Sequence, residues 1–407
     1  MQPSRHLRPR NGEPQPTTAV ELLFDLVYAF AVTQISHLII GRLTYTGVAH
    51  AALLLWVAWW AWIYTTWMVN WFEPASSPVR LIVVLGALTS LLMAAAIPTA
   101  FTTTPLLFAS AYVVLQIGRN AAARWLLEDD HTLRIVFERI LAWSLLSAAF
   151  WIAGALAPSS WRFALWGAGV FVDFVAPIVG YRTPGRGRSG TADYPVDGGH
   201  FAERFQSFII IVLGESIVVT GAAASARGLS TSSAFALAIA FLITGGLWWL
   251  YFGIVAENSK QHIANAEDPA VLARDAYTYL HLPIVAGVIM VAVGDDFLVS
   301  DATASLSTAG LIMLVGGPAL FLAGENAFRL RMIGSIGSKR AVAVAALCLA
   351  GVAASALPAL AVGAIVAGLL TLLALWEAAG TTNGLKAGSL RRVRVAAAPV
   401  SQGDAKR

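Results

Sequence analysis

Residues 20–40 read VELLFDLVYAFAVTQISHLII. As a helix this run is about 30 Å long at ~1.5 Å per residue, the thickness of a bilayer's hydrocarbon core. Yet it carries Glu21, Asp25, Gln34 and His37. An ionised side chain at mid-depth costs roughly 2.5–3.5 kcal/mol on insertion scales. A helix that accepts such groups must meet partners or water, which predicts a place inside a bundle. Thr18 and Glu21 have the spacing of a capping box, and an acid in the first turn suits the positive end of the helix dipole. Asp25 lies one turn further on, on a face shared with Tyr28, Val32 and Ser36. Gln34 and His37 fall on another face, joined by Thr33.

The rest of the chain has the same character. Of 407 residues, 57% are hydrophobic and 12% are charged, with a mean hydropathy of +0.70. Soluble domains carry about a quarter charged residues. Apolar segments of bilayer length recur throughout, so the fold class expected is an all-α polytopic membrane protein. The formal charge of +4 is then no signal for nucleic acid. The single cysteine, Cys348, excludes an intrachain disulfide and a cysteine-based metal site. The polar first 19 residues precede a long acid-bearing segment, which reads as a retained helix and not a cleaved signal.

Twelve spans are expected, near 20–40, 47–69, 79–98, 105–124, 136–157, 161–181, 201–223, 232–255, 274–294, 306–324, 340–357 and 359–378. With a cytoplasmic N-terminus, all of the 27 Lys and Arg except Arg42, Arg162 and Arg227 fall on the inner side. This asymmetry follows the positive-inside rule and puts both termini in the cytoplasm. An outer loop around Asp295, Asp296 and Asp301 contains no basic residue. Trp71, Trp125 and Trp161 fit interfacial anchors, but the run Trp56, Trp59, Trp60, Trp62 and Trp67 is denser than an aromatic belt needs.

The chain reads as two parallel six-helix repeats. GRNAAAR at 118–124 parallels GENAFRL at 324–330, and Trp59–Trp60 parallels Trp248–Trp249. Asn70 and Asn258 follow those pairs, Phe24 aligns with Phe205, and Gln34 with Glu215. The expected organisation is a cytoplasmic tail over 1–19, a first half over 20–181, a linker over 182–200, a second half over 201–378 and a tail over 379–407. Gly, Pro and Arg dominate the linker, which reads as flexible, with its arginines able to hold anionic lipid heads. The C-terminal tail reads as disordered. Parallel repeats are one plan of secondary transporters, with the site between the halves.

Glu215 stands among apolar neighbours in IIIVLGESIVV, near the midplane, beside Gly214, which would admit a close backbone. Intramembrane acids are functional-site candidates by default. The candidates for a proton or substrate path are Glu215, Asp25, Gln34, His37, His281 and Asp173. Pro283 follows His281 and frees a backbone carbonyl one turn back. Asn120 and Asn326 read as structural interhelical groups, and Glu21 as a cap. No histidine pair has metal spacing, no phosphate-cradling glycine loop occurs, and no Ser/His/Asp set is legible, so no cofactor, metal or enzymatic chemistry is expected.

These residues resemble a family. VELLFDLVYAFAVTQISHLI is similar to the opening helix of the bacterial low-temperature-requirement protein A family, ERFQSFIIIVLGESI at 203–217 to its second signature, and HLPIVAGVIMVAVG at 281–294 to a third. Leu23, Tyr28, Gln206 and Ser207 depart mildly from the pattern. The resemblance marks Glu21, Asp25, Glu203, Arg204, Glu215 and His281 as family positions without a catalytic role, and it implies a bacterial inner membrane and a link to growth in the cold. A looser likeness joins the first helix to the lysosomal potassium-channel family, through Phe24-Asp25. The favoured function is a secondary transporter of a small solute or ion among membrane lipids, with proton coupling as one form it could take. An oligomeric channel and a lipid-acting, sensing or scaffolding protein stay open.

Overall fold

The computed structural model describes residues 6–10, 15–127 and 131–396. They form twelve principal helices and no strand. We label these α1 (Ala19–Gly41), α2 (Tyr45–Trp71), α3 (Ser77–Ala96), α4 (Pro105–Leu126), α5 (His131–Leu156), α6 (Ser159–Ile178) and α7 (Gly198–Arg227). Then follow α8 (Thr231–Ala264), α9 (Pro269–Ser300), α10 (Thr308–Ile333), α11 (Ser338–Ala353) and α12 (Ala359–Ala396). Eleven helices are long and apolar enough to cross a membrane. The exception is α11, whose 16 residues reach only about 24 Å.

Several boundaries differ from the sequence reading. Asp295 and Asp296 are not in a loop; they lie inside α9, which runs on to Ser300. The tail expected to be disordered begins inside α12, which continues to Ala396; residues 397–407 lie outside the described residues. The linker is pinned and not free. Arg139 donates to the Arg186 carbonyl and to Ser189 Oγ, and Arg186 pairs with Glu138. Asp197 then caps α7 through the His200 N–H at 2.9 Å.

The start of the chain is also tied down. The Arg8 N–H donates to the Trp71 carbonyl at 2.8 Å, and the Glu73 N–H to that of His6 at 2.8 Å. Trp59, Trp60 and Trp62 are core residues, which explains the tryptophan run. Trp125 and Trp161 are exposed as interfacial anchors would be, but Trp71 is buried. The helix α1 is half central. Its Glu21, Asp25, Tyr28, Val32 and Ile35 face inward, while Leu22, Leu26 and Phe30 form an exposed apolar stripe. It packs on α2, α3, α7 and α9.

Two π-turns shape the second half, at Tyr251–Val255 in α8 and Ala273–Tyr279 in α9. Pro283 lies past the second π-turn, in the α-helical part of α9, where its missing N–H frees the carbonyl of residue 279. The neighbouring Thr278 carbonyl accepts the Trp59 indole N–H at 2.8 Å, which ties α9 to α2.

The closest helix pair is α9–α10. A Cβ at Gly294 would stand 2.5 Å from Leu314 Cα, and one at Gly287 2.6 Å from the Phe321 nitrogen. Small residues let the backbones touch. Gly214 is different: a Cβ there meets nothing within 4 Å, so it hosts no close approach. Gly294→Leu is expected to force α9 from α10 and lower the melting temperature by several degrees or abolish folding, while Gly214→Ala leaves it unchanged. Thermal melts of both variants in detergent check this. Equal melting temperatures would refute the contact.

Candidate functional site

The N-terminal ends of α1 and α7 and the C-terminal end of α2 meet at the end of the bundle that carries most of the basic residues. There Arg204 grips Asp25 with two parallel bonds, 2.6 and 2.7 Å. The Trp62 indole N–H donates to the same carboxylate at 2.7 Å. The guanidinium also lies over the Trp62 ring, 5.7 Å from its centroid. Asp25 and Arg204 are fully buried. Bidentate arginine–carboxylate pairs are among the stronger polar contacts, and in a low-dielectric interior they must be well formed to offset desolvation.

Glu21 sits one turn earlier and is saturated. It accepts from the Thr18 N–H and hydroxyl, both at 2.7 Å, completing the capping box. Its other oxygen meets Arg8 at 3.2 Å and His200 Nε2 at 2.9 Å. Asn70 Nδ2 donates to His200 Nδ1 at 3.1 Å, which leaves the ring proton on Nε2, facing Glu21. Asn70 Oδ1 accepts from the Asp197 N–H at 2.9 Å. Glu21 is thus a cap and an ion-pair partner together.

Glu215 belongs to a second site. It lies 11 residues beyond Arg204, about 16 Å further along α7, so it does not touch Asp25. Thr33 of α1 donates to its Oε2 at 2.5 Å, and its Oε1 has no partner among the described residues. The exposed His37 lies one turn from Thr33 on α1. Gln34 is half-buried on the same part of α1. Beside Glu215, the Ser216 hydroxyl donates to Asp295 Oδ2 at 2.7 Å and accepts from Thr244 at 2.9 Å. Asp295 is fully buried, forms no ion pair among the described residues, and has one oxygen without a partner.

The other candidates are spread through the bundle. Asp173 of α6 accepts from the Tyr112 hydroxyl at 2.7 Å, and Tyr112 accepts from Gln116 at 3.0 Å. Gln116 in turn accepts from Arg119. His281 is packed: it stacks on Tyr277 with centroids 5.0 Å apart and bonds the Tyr251 hydroxyl at 3.0 Å. Asn120 donates to Ser144 at 3.2 Å, and Asn326 accepts from the Gly337 N–H at 3.0 Å. Glu203 pairs with Lys260 at 2.6 Å on a half-exposed surface. Sequence reasoning passed over Arg340, whose guanidinium binds Glu325 at 2.6 Å, Glu377 at 2.8 Å and the Leu250 carbonyl at 2.9 Å. It also passed over Arg8 and His200. No group of three or more His, Cys, Asp or Glu able to hold a metal occurs among the described residues.

The sequence profile of the bacterial low temperature requirement A protein family, LtrA, matches residues 17–375. The chain belongs to this family. It is 34% identical over 319 residues to an uncharacterized protein of Rhizobium meliloti, a match covering 78% of each chain. No solved structure matches it. The LtrA match encloses both carboxylate sites, from Glu21 to Asp295.

In this LtrA protein, removing one partner of the buried Asp25–Arg204 pair strands the other. Asp25→Asn and Arg204→Gln are each expected to cost on the order of 3–5 kcal/mol. The double variant should cost less than their sum. Unfolding of the four proteins in detergent checks the cycle, and strict additivity would rule the coupling out.

Proposed function

We propose that this LtrA protein is a secondary transporter of the bacterial inner membrane, with both termini cytoplasmic, moving a small solute or ion in exchange for or together with protons. The observation that carries the reading is the contrast between its buried acids. Asp25 and Glu21 are neutralised by Arg204 and Arg8, and His200 adds a hydrogen bond to Glu21. Asp295 and Glu215 have hydroxyl partners and no bonded base among the described residues. A buried carboxylate without a counter-ion costs several kcal/mol, so a carboxyl in that setting works best as a place where a proton or cation is taken up and released.

The neighbours suit that role. Thr33 brings Glu215 onto α1, and Ser216 and Thr244 bring Asp295 onto α7 and α8. A proton arriving at either carboxyl changes what these hydroxyls bond to, and so changes how α1, α7, α8 and α9 pack. In this reading the Asp25–Arg204 pair is a latch between α1 and α7 at the opposite end, not a carrier. We further propose that the two halves are repeats. The first helix of each half packs on the second and third, the third on the fourth, the fourth on the fifth and the fifth on the sixth. No catalytic chemistry is assigned to the chain.

Proteoliposomes with an enclosed pH dye and an imposed gradient test the proposal across a panel of solutes. Solute-dependent proton movement is expected in the wild type, reduced at least tenfold in Glu215→Gln and in Asp295→Asn, and retained in Glu203→Gln. Wild-type pH dependence surviving in both carboxyl variants would remove these residues from the proton's path.

A further inference from the structure

At the end of the bundle that carries most of the basic residues, a groove of about 440 Å³ runs between the first turns of α1 and α3. Volumes of this order hold a substantial organic group. Val20 and Leu23 of α1, Pro74 and Ala75 of the α2–α3 turn, and Arg80 and Val84 of α3 line it. Arg80 is the one charged residue among the described residues of that lining.

The groove is continuous with the lipid-facing surface. On α1 it adjoins the exposed stripe of Leu22, Leu26 and Phe30. On α3 it adjoins a matching stripe of Leu81, Leu85 and Leu88. Both stripes run on along the apolar length of their helices, so a hydrocarbon chain that starts in the groove stays in hydrocarbon throughout.

The polar margin is basic. Arg80 is exposed, donates to the Ala75 carbonyl at 3.2 Å, and forms no ion pair among the described residues. Its stem can lie on apolar surface while the guanidinium stays at the interface. The described acids of the flanking segments do not line the groove. Glu21 and Asp25 face the interior, held by Arg8, His200 and Arg204, and Glu73 accepts the Ala75 N–H at 3.0 Å. Ser76, just before α3, bonds His6 at 3.1 Å and does not cap the helix, so the positive end of the α3 dipole adds to Arg80. A small anion in water would gain nothing from the apolar walls, and a neutral hydrocarbon nothing from the arginine. The occupant that uses both is a lipid with a negative head, the kind that basic groups at a membrane surface attract.

We propose that this groove binds an anionic phospholipid, its headgroup on Arg80 and one acyl chain between α1 and α3. Thr18 lines the groove and also bonds Glu21, so the lipid braces the start of α1. The site stands apart from proton coupling, because it needs no gradient and uses neither Glu215 nor Asp295.

Native mass spectrometry of the full chain, released from detergent micelles at rising lipid concentration, tests it. It counts bound molecules and gives the affinity of the first. The probes are phosphatidylglycerol and phosphatidylcholine with the same acyl chains. The wild type is expected to bind the glycerol lipid about fivefold tighter, the worth of one basic group at a membrane surface. Arg80→Gln should lose most of that preference and Arg80→Lys keep it. Arg42→Gln, an exposed arginine at the other end of α1, should leave it unchanged. Leu23→Trp fills the groove from a half-exposed position and should weaken both lipids at least threefold. Equal affinity for the two lipids in the wild type overturns the proposal. So does a preference that survives Arg80→Gln, one lost equally in Arg42→Gln, or unaltered binding in folded Leu23→Trp.

Discussion

The bundle is organised around a guanidinium and a carboxylate placed where neither can stand alone. Asp25 and Arg204 are both sealed from solvent and held by two bonds. Each would be expensive to bury by itself. Together they fix the rotation of α1 against α7, because only one register of the two helices lets a planar fork meet a planar carboxylate. Trp62 extends the constraint to α2. Arg8 and His200 on Glu21 repeat it one turn away. The two halves of the chain are thereby held together by charge at one end.

Elsewhere the same physics takes other forms. Arg340 gathers Glu325, Glu377 and a backbone carbonyl. At α9–α10 the contact is steric, made by glycines that leave no room for a side chain. Between these rigid parts lie the π-turns of α8 and α9, whose wider coil is common at functional sites. Asp295 and Glu215 sit among hydroxyl groups, which can reverse a hydrogen bond without moving a backbone. Firm packing at the ends and adaptable bonding between them suits the proposed transporter, which would have to change shape.

Much of the fold was legible because bilayer thickness imposes a period that no local preference can override. Twelve expected segments meet twelve helices, and α11 falls short where the sequence offers only a brief apolar run before Pro358. The capping box at Thr18 and Glu21 is local and was readable. Glu215 announced itself by its apolar surroundings. Asp295 did not, because it follows a glycine and precedes a second acid, which looks like a helix end; the glycine instead admits α10. The partners of Asp25 and Glu21 were hidden for a plainer reason. Nothing local in residues 200–204 says which distant face they meet, although an arginine at the start of an apolar helix is a signal worth pairing with buried acids. The linker read as loose because Gly, Pro and Arg dominate it, yet its anchors are a backbone carbonyl and distant side chains that composition does not report.

The separation between Asp25 and Arg204 bears on how the chain is made. The partners are 179 residues apart. At a synthesis rate of roughly 5–20 residues per second, α1 emerges about ten to forty seconds before the group that neutralises it. His200 is equally late for Glu21. During that interval the first helix carries two acids, with at most Arg8 nearby, and a full entry into lipid is unfavourable. The nascent helix must wait at a watered boundary of the insertion machinery or beside α2 until α7 arrives. Assembly of this membrane protein is therefore ordered by its own electrostatics: α1 is made long before α7 and settles only when α7 arrives.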